Sequence, residues 1–285
     1  MKVGVALRST VFGPSSIAKI VPLLEKAGVD SVWFPSGGKG FDALDMCGIS
    51  LGMTNRLRAG TGVIRSTDYD LLQLVDRIHT LSEGSGRRFI LGMGTGAGTG
   101  LAAVDGLVDA AEKIRSHYLG QAWPPVFFAA LRRRILRAAY LYAEGAILNL
   151  CSPEYVEKIT PRGMRARGFT LACYIKLFFA EDDTLARRML VDEIKRYNGI
   201  PQYHAMFEEM GASGSIDSLG SDSLSGIPED LLEISSANPS DDEVSRMLVR
   251  FRRAGVDLPI LYPYAFGEEA YRISVVERLI SASKA

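Results

Sequence analysis

The sequence predicts an α/β protein, a single (β/α)8 TIM barrel over residues 1–285. Two observations lead to this prediction. Eight short apolar runs alternate with helical patterns, and 285 residues is an ordinary length for one such barrel. Strict strand–helix alternation implies a parallel sheet. A doubly wound open sheet is the alternative, but no predicted strand carries a dinucleotide fingerprint with an acidic residue at the usual distance.

Each predicted strand is a short apolar run bounded by glycine, proline or polar residues, which is the pattern of a buried strand. The clearest is Phe89–Met93, which ends in alternating glycines and is followed by a helical pattern from Leu101. The predicted strands cover residues 3–7, 31–34, 57–61, 89–93, 126–129, 145–148, 170–179 and 258–261.

The predicted helices have apolar residues at helical spacing or recognisable end signals. The first begins at a cap on Ser15 or Ser16 and ends at Gly28. The others cover residues 41–51, 68–84, 101–119, 132–143, 153–167, 183–197, 200–211, 241–254 and 268–283. Residues 211–226 are rich in glycine, serine and aspartate, which predicts a mobile loop within the domain.

Composition narrows the class of protein. The 33 basic and 33 acidic residues cancel, which argues against a nucleic-acid partner. Three scattered cysteines form neither a disulfide framework nor a zinc pattern, and the three histidines lack metal-ligand spacing, so we expect no metal site. Residues 1–12 do not form a signal peptide and no apolar run reaches membrane-spanning length. We therefore expect a cytoplasmic protein without a membrane partner.

The active site of such a barrel lies at the C-terminal ends of its strands. Small residues, hydroxyl groups and arginines dominate the segments that follow the predicted strands, and paired carboxylates and histidines are absent from them. These segments begin Arg8-Ser-Thr, Pro35-Ser-Gly-Gly, Gly62-Val-Ile-Arg, Gly94-Thr-Gly, Ala130-Leu-Arg-Arg, Asn149-Leu-Cys-Ser and Tyr262-Pro-Tyr. This composition favours a flat or anionic ligand over acid–base hydrolysis.

Two of these segments are candidates for binding an anion. The glycines from Gly94 to Gly100 allow backbone N–H groups to approach a ligand at a helix N-terminus, although they also fit a crowded strand-to-helix turn. Arg132, Arg133 and Arg134 open the next helix, where they form either a phosphate site or a solvated basic face. Arginines at a helix start oppose the helix dipole, which favours the phosphate site.

Several segments together resemble the bacterial luciferase-like flavin and deazaflavin oxidoreductase superfamily. The similarity is to the branch of deazaflavin-dependent methylene-tetrahydromethanopterin reductases, and it spans nearly the whole chain. The matching segments are Ala27-Gly-Val-Asp-Ser-Val-Trp33, Leu57-Arg-Ala-Gly-Thr-Gly-Val63, Arg88-Phe-Ile-Leu-Gly-Met-Gly-Thr-Gly96, Phe128-Ala-Ala with Ile135-Leu-Arg-Ala-Ala139, Glu144-Gly-Ala-Ile-Leu-Asn149 with Ser152-Pro153, and Ala254-Gly-Val-Asp-Leu-Pro259.

The resemblance implies a barrel that holds FMN or a deazaflavin coenzyme of the F-420 type. It implies a bulge under the cofactor ring with a cis peptide between Gly62 and Val63, glycines beside the ring, and a loop at the cofactor phosphate. The implied cofactor-binding residues are Thr61, Gly62, Val63, Gly94, Thr95, Gly96, Ala129, Ala130, Leu131, Arg132 and Arg133. The implied substrate-side residues are Ser36, Asn149 and Ser152.

The chain departs from the family pattern at its proton-handling positions. Ala6 stands where members often have glutamate, Pro35-Ser36 where some have an acidic residue and histidine, and Ala97 where others have glutamate. Arg132 and Arg133 replace the usual Gly-Pro, and the segment between strands four and five is shortened to one helix. The catalytic residues are therefore unknown from the sequence.

Three functions are consistent with these observations. The first is a flavin- or deazaflavin-dependent oxidoreductase, a reductase or a monooxygenase, that moves a hydride to or from a small or pterin-like substrate. The missing carboxylates motivate the second, a cofactor-binding protein of the same fold with reduced catalysis. The third is a phosphosugar-type barrel enzyme unrelated to flavins. We also expect a small-molecule substrate and a homo-oligomer, a dimer or higher.

Overall fold

Nine strands form one parallel sheet in the described part of the chain, and eight of them close into a barrel. The computed structural model describes residues 2–36, 40–96, 98–118, 123–160, 168–219 and 227–284. The strands are β1 Gly4–Ala6, β2 Ser31–Phe34, β3 Arg58–Thr61, β4 Phe89–Met93, β5 Val126–Ala129, β6 Gly145–Asn149, β7 Thr170–Phe179, β8 Ser235–Ala237 and β9 Leu258–Ala265. β1 to β7 pair in sequence order, and β9 closes the circle between β7 and β1. The predicted (β/α)8 barrel is confirmed.

Helices cover the strands on the outside and extend over the C-terminal end of the barrel. They are α1 Pro14–Ala27, α2 Ala43–Gly52, α3 Leu71–Gly84, α4 Gly100–Ser116, α5 Arg133–Tyr142, α6 Pro153–Ile159, α7 Asp183–Asn198, α8 Pro201–Met210, α9 Ser213–Asp217, α10 Glu229–Leu232, α11 Asp241–Arg253 and α12 Glu269–Ala282. As predicted, α4 alone connects β4 and β5 among the described residues.

Several short elements differ from the sequence predictions. β8 was not predicted because Ser235–Ala237 contains no apolar run, and its pairing with β7 holds it in place. β9 continues past the predicted end at Leu261 and through Pro263. Beyond Leu261 it pairs with β7 but not with β1, and a strand with one free edge tolerates proline.

The predicted loop over residues 211–226 is partly helical. Ser213–Asp217 forms α9, and Ile216 in this helix is buried. Residues 220–226 lie outside the described residues, as do Ala97 and residues 161–167 of the predicted sixth helix.

The described ranges contain neither a candidate membrane span nor a candidate metal cluster. No helix there combines the length and apolar composition that a membrane span requires. No group of three or more histidine, cysteine, aspartate or glutamate side chains in the same part of the chain could hold a metal ion. Cys47, Cys151 and Cys173 are buried free thiols.

The guanidinium of Arg88 ties β4 to the end of α2. It donates to the backbone carbonyls of Leu51, Thr54 and Leu57 at 2.8–2.9 Å, and to the carbonyl of Ser85 at 2.9 Å. Carbonyl groups at a helix end have no partner within the helix, and the half-buried guanidinium of Arg88 satisfies one at the end of α2 together with carbonyls that follow it. This arginine of the glycine-rich segment therefore has a structural role.

We expect Arg88→Met to lower the free energy of unfolding by about 3 kcal/mol, because it leaves several partly buried carbonyls without a donor. Urea unfolding followed by circular dichroism measures the change. Arg87→Met is the matched control, since the Arg87 side chain is exposed. Equal stability of the two variants would contradict this structural role.

Candidate functional site

The C-terminal ends of the strands surround a cavity of about 840 Å³, here called the barrel cavity. Its walls come from the ends of the first six strands and the segments after them, from the inner faces of β7 and β9, and from α7 and α8. Eleven of the fourteen residues predicted for the site line it. They are Ser36, Gly62, Val63, Gly94, Thr95, Gly96, Ala129, Leu131, Arg132, Arg133 and Asn149.

The other three predicted residues lie behind the cavity wall. The hydroxyl of Thr61 bonds both the N–H and the carbonyl of Gly92, at 2.9 Å each. Ala130 is fully buried, and Ser152 caps α6 by accepting a hydrogen bond from the N–H of Tyr155 at 3.2 Å. Their side chains serve the sheet and a helix start, and none of the three is among the cavity-lining residues.

A backbone bulge after β3 forms part of the cavity floor. The chain leaves the sheet after Thr61 and rejoins it at Ile64, and Gly62 and Val63 between them are joined by the expected cis peptide. Backbone hydrogen bonds from the N–H groups of Gly62 and Ile64, both 2.9 Å, fix the two ends of the bulge. A Cβ atom on Gly94 would lie 2.8 Å from Cγ2 of Val63, so the close approach of the two segments requires glycine there.

Two helices begin at the edge of the barrel cavity without a side-chain cap. α4 begins after Thr99 and α5 after Arg132, and neither of these side chains accepts a hydrogen bond from the helix it precedes. The first N–H groups of a helix have no partner within the helix and favour an anion. The two helix starts therefore provide backbone donors on the same side of the cavity as the glycine-rich segment.

Arginines line the cavity beside these helix starts. Arg65 pairs with Asp68 at 2.7 Å, and Arg133 donates to a backbone carbonyl of α6 at 2.6 Å. Among the described residues, Arg132 and Arg134 have no hydrogen-bond or ion-pair partner, so their guanidinium groups are available to a ligand. Because Arg132, Arg133 and Arg134 are all exposed at this edge, the segment fits both a phosphate site and a solvated basic face.

Asn149, which was predicted on the substrate side, contacts α8 at the wall of the cavity. Its Nδ2 donates to the hydroxyl of Tyr203 at 2.8 Å. Its Oδ1 is buried and has no hydrogen-bond partner within the part of the chain that the structure describes. A buried acceptor of this kind fits a ligand that carries a hydrogen-bond donor.

Five tyrosines that were not among the predicted site residues also line the cavity. They are Tyr174 on β7, Tyr197 on α7, Tyr203 on α8, and Tyr262 and Tyr264 on β9. Alternate residues of a strand point to the same face, so the two tyrosines of β9 share the inner face of the barrel. That spacing is visible in the sequence, but the predicted strand ended before these residues.

A buried ion pair lies behind the tyrosines. Lys176 Nζ is 2.6 Å from Glu193 Oε1, and the two side chains are 0% and 7% exposed. Glu193 also accepts hydrogen bonds from the Tyr264 hydroxyl and from Arg196, both at 2.8 Å. Burial raises the pKa of Glu193, but Lys176, Tyr264 and Arg196 outweigh burial and lower this pKa to about 2. Glu193 is therefore a carboxylate at neutral pH.

The cavity tyrosines differ in acidity. Burial raises the pKa of the hydroxyl groups of Tyr174, Tyr203, Tyr262 and Tyr264. Burial acts in the same direction on Tyr197, but the positive charges of Lys176 and Arg196 outweigh it and lower the pKa of this hydroxyl. The five rings form a tyrosine wall in which the pKa of Tyr197 is shifted in the opposite direction from the pKa values of the other four.

Residues 1–115 match the model of the luciferase-like monooxygenase family, and this match covers β1 to β4 and nearly all of α4. The predicted resemblance is confirmed over these residues. No curated protein matches the chain in sequence.

Solved structures of similar fold cover the whole chain. The coenzyme F420-dependent tetrahydromethanopterin reductase of Methanopyrus kandleri is 17% identical, with a TM-score of 0.69 over 99% of this chain and 97% of that one. An F420-dependent secondary alcohol dehydrogenase, solved with an F420–acetone adduct, is 14% identical, with a TM-score of 0.73 over 99% and 98%. The oxygenating constituent of 3,6-diketocamphane monooxygenase of Pseudomonas putida, solved with FMN, is 12% identical, with a TM-score of 0.63 over 99% and 97%. These similarities show the shared barrel fold.

Acid titration should reveal the Glu193 ion pair. The folded-state pKa of Glu193 lies below its ordinary value of 4.5, so its ionised form stabilises the fold. We expect this contribution to be complete above about pH 4.5 and to be lost as the pH falls towards 2.

Urea unfolding at a series of pH values tests this expectation. The decline in stability below pH 4.5 should be weaker in Glu193→Gln than in the wild type. Glu208→Gln, which removes an exposed carboxylate on α8, should keep the wild-type slope. Parallel curves for the wild type and Glu193→Gln would contradict the assignment.

Proposed function

We propose that the protein is a flavin- or deazaflavin-dependent oxidoreductase that transfers a hydride to or from a small or pterin-like substrate. The observation that carries this proposal is the barrel cavity, which joins an apolar floor to an anion-binding edge. Val63, Gly94 and Ala129 supply the floor, and the starts of α4 and α5 supply the edge. The family match and the FMN and F420 complexes of similar folds support the choice of cofactor.

The residues present fit such a group. The cavity volume lies within the range of about 300–1,000 Å³ that is typical of cofactor and substrate sites. The floor lacks charged side chains, as a flat ring requires, and the unpartnered Oδ1 of Asn149 offers an acceptor to a ring or a substrate. Arg132, Arg134 and the helix N–H groups suit a phosphate.

In this proposal each part of the barrel cavity has a separate role. The cofactor, when bound, supplies the hydride chemistry. The bulge and the glycine-rich segment orient the ring, the arginines hold the phosphate, and the tyrosine wall excludes water from the reacting face. The homo-oligomer and the cytoplasmic location expected from the sequence stay predictions.

A cofactor-binding protein with reduced catalysis is the second candidate. The observation that favours it is the loss of the family's acid–base groups at two positions. Ala6 is fully buried on β1, and Ser36 lines the cavity where some relatives have histidine. A different side chain in the same cavity that can exchange a proton with the substrate would favour the enzyme over this second candidate.

Titration of the purified protein with FMN and with an F-420-type deazaflavin tests the proposal. We expect one of them to bind at one molecule per chain, with a change in cofactor fluorescence. Riboflavin, which lacks the phosphate, should bind more weakly than FMN. Failure of both cofactors to bind would contradict the proposal. Binding without any anaerobic reoxidation of the reduced cofactor by carbonyl or pterin compounds would favour the second candidate.

Replacing both Arg132 and Arg134 by alanine should weaken cofactor binding about tenfold or more, because charge-assisted hydrogen bonds are worth about 1.5–3 kcal/mol each. Arg137→Ala is the matched control, since Arg137 lies on the same helix, is exposed and does not line the cavity. Fluorescence titration measures the three affinities. Unchanged affinity in the double variant would contradict the phosphate site and support the interpretation of these arginines as a solvated basic face.

A further inference from the structure

Tyr197 occupies a position between the substrate side of the cavity and the buried ion pair. It lies in the last turn of α7 and lines the cavity. Its ring packs on Tyr203, with centroids 4.4 Å apart, and the Tyr203 hydroxyl accepts a hydrogen bond from Asn149. Tyr203 therefore connects Tyr197 with Asn149, the residue predicted to face the substrate.

Lys176 lies against the same ring. Its Nζ is 4.0 Å from the centroid of Tyr197, and Glu193 holds this ammonium from behind at 2.6 Å. The Lys176 side chain has no exposed surface, so a substrate cannot reach the ammonium directly. The positive charge acts on the cavity through the rings that cover it.

Two of the other cavity tyrosines donate their hydroxyl groups to acceptors within the protein, and a third packs between them. The Tyr264 hydroxyl donates to Glu193 at 2.8 Å, and the Tyr174 hydroxyl donates to the carbonyl of Gly62 at 3.3 Å. Tyr262 packs between these two rings, with centroids 5.3 Å from Tyr174 and 4.7 Å from Tyr264.

The charged groups around Tyr197 come from three sides. Lys176 on β7 and Arg196 on α7 favour its phenolate, and Glu193 on α7 opposes it. Arg8, after β1, donates to the Tyr264 hydroxyl at 3.2 Å and adds a positive charge on the far side of the cluster. The net effect is the lowered pKa of Tyr197 described above.

We propose that Tyr197 is the catalytic residue that exchanges a proton with the substrate, and that Lys176 is the positioning residue that stabilises its phenolate. This inference rests on the proposed function and deepens it by naming the proton donor. The donor was unassigned because the carboxylates of the family are absent from this chain. Tyrosine is an established general acid when a neighbouring cation stabilises the phenolate. The substrate class that requires such a donor is a carbonyl compound, or an alcohol in the reverse direction.

In the reducing direction, the substrate is a carbonyl compound and Tyr197 is the proton donor. A reduced flavin or deazaflavin, when bound, would supply the hydride that forms the new C–H bond at the carbonyl carbon, and the π electron pair of C=O would move to oxygen. This oxygen takes the hydroxyl proton of Tyr197, whose O–H bond breaks and leaves a phenolate beside Lys176. The carbonyl compound is reduced, the cofactor is oxidised, and a solvent proton restores the phenol.

Tyrosinate absorbance during a pH titration tests the inference without any cofactor. In the wild type, one tyrosine should ionise below the ordinary pKa of 10.0. Tyr197→Phe should lose this early step, Lys176→Met should move it to higher pH, and Tyr142→Phe, which removes a hydroxyl on α5 outside the cavity, should retain it. Absence of the early step in the wild type, or its persistence in Tyr197→Phe, would overturn the inference.

A second measurement separates this inference from the proposed function. Tyr197→Phe should bind the cofactor with wild-type affinity but transfer hydride to a carbonyl substrate about 100-fold more slowly, a typical loss for a general acid. Tyr142→Phe should match the wild type in both measurements. Wild-type transfer rates in Tyr197→Phe would overturn the inference alone, whereas a wild-type protein that binds neither cofactor would overturn the proposed function and this inference with it.

Discussion

Closure of the barrel depends on β7, which pairs with three other strands. The lower part of this ten-residue strand pairs with β6, its upper part pairs with β8, and β9 runs along its other edge. Because strand side chains alternate between faces, the same strand directs Tyr174 and Lys176 to one side. The hydrogen bonds that close the barrel therefore also fix the ammonium of Lys176 behind the tyrosines of the cavity. A shift in strand register would disturb both together.

The strands and the backbone of the site were predictable because their signals are local. Short apolar runs predicted the strand positions within a few residues, and glycine and arginine patterns predicted the edge of the cavity. The bulge and the floor residues Val63 and Ala129 came from the family resemblance. The resemblance implied that Thr61, Ala130 and Ser152 contact a ligand, but their side chains do not line the cavity. Sequence position alone does not reveal that their polar groups are already used by the backbone.

Tyr262 and Tyr264 were expected at the barrel end because they follow a predicted strand. The other three tyrosines and the ion pair were not predicted, because their contacts join distant parts of the chain. Glu193 and Lys176 are 17 residues apart, and Tyr264 and Glu193 are 71 apart. In a helix such as α7, Glu193, Arg196 and Tyr197 share one face, but nothing in the sequence indicates that this face covers the barrel mouth. The resemblance directs attention to Ala6 and Ser36, whereas the buried ion pair joins β7 to α7.

The hydroxyl of Thr61 has a consequence for how a ligand would bind. By bonding both backbone groups of Gly92, it takes the place of ladder hydrogen bonds at the point where β3 and β4 separate, and the chain rejoins the sheet at Ile64. The bulge is thus a short segment that hydrogen bonds hold at both ends, unlike a loop without such bonds. A ligand that docks on Val63 meets a surface that is already ordered, so binding there loses little backbone conformational entropy.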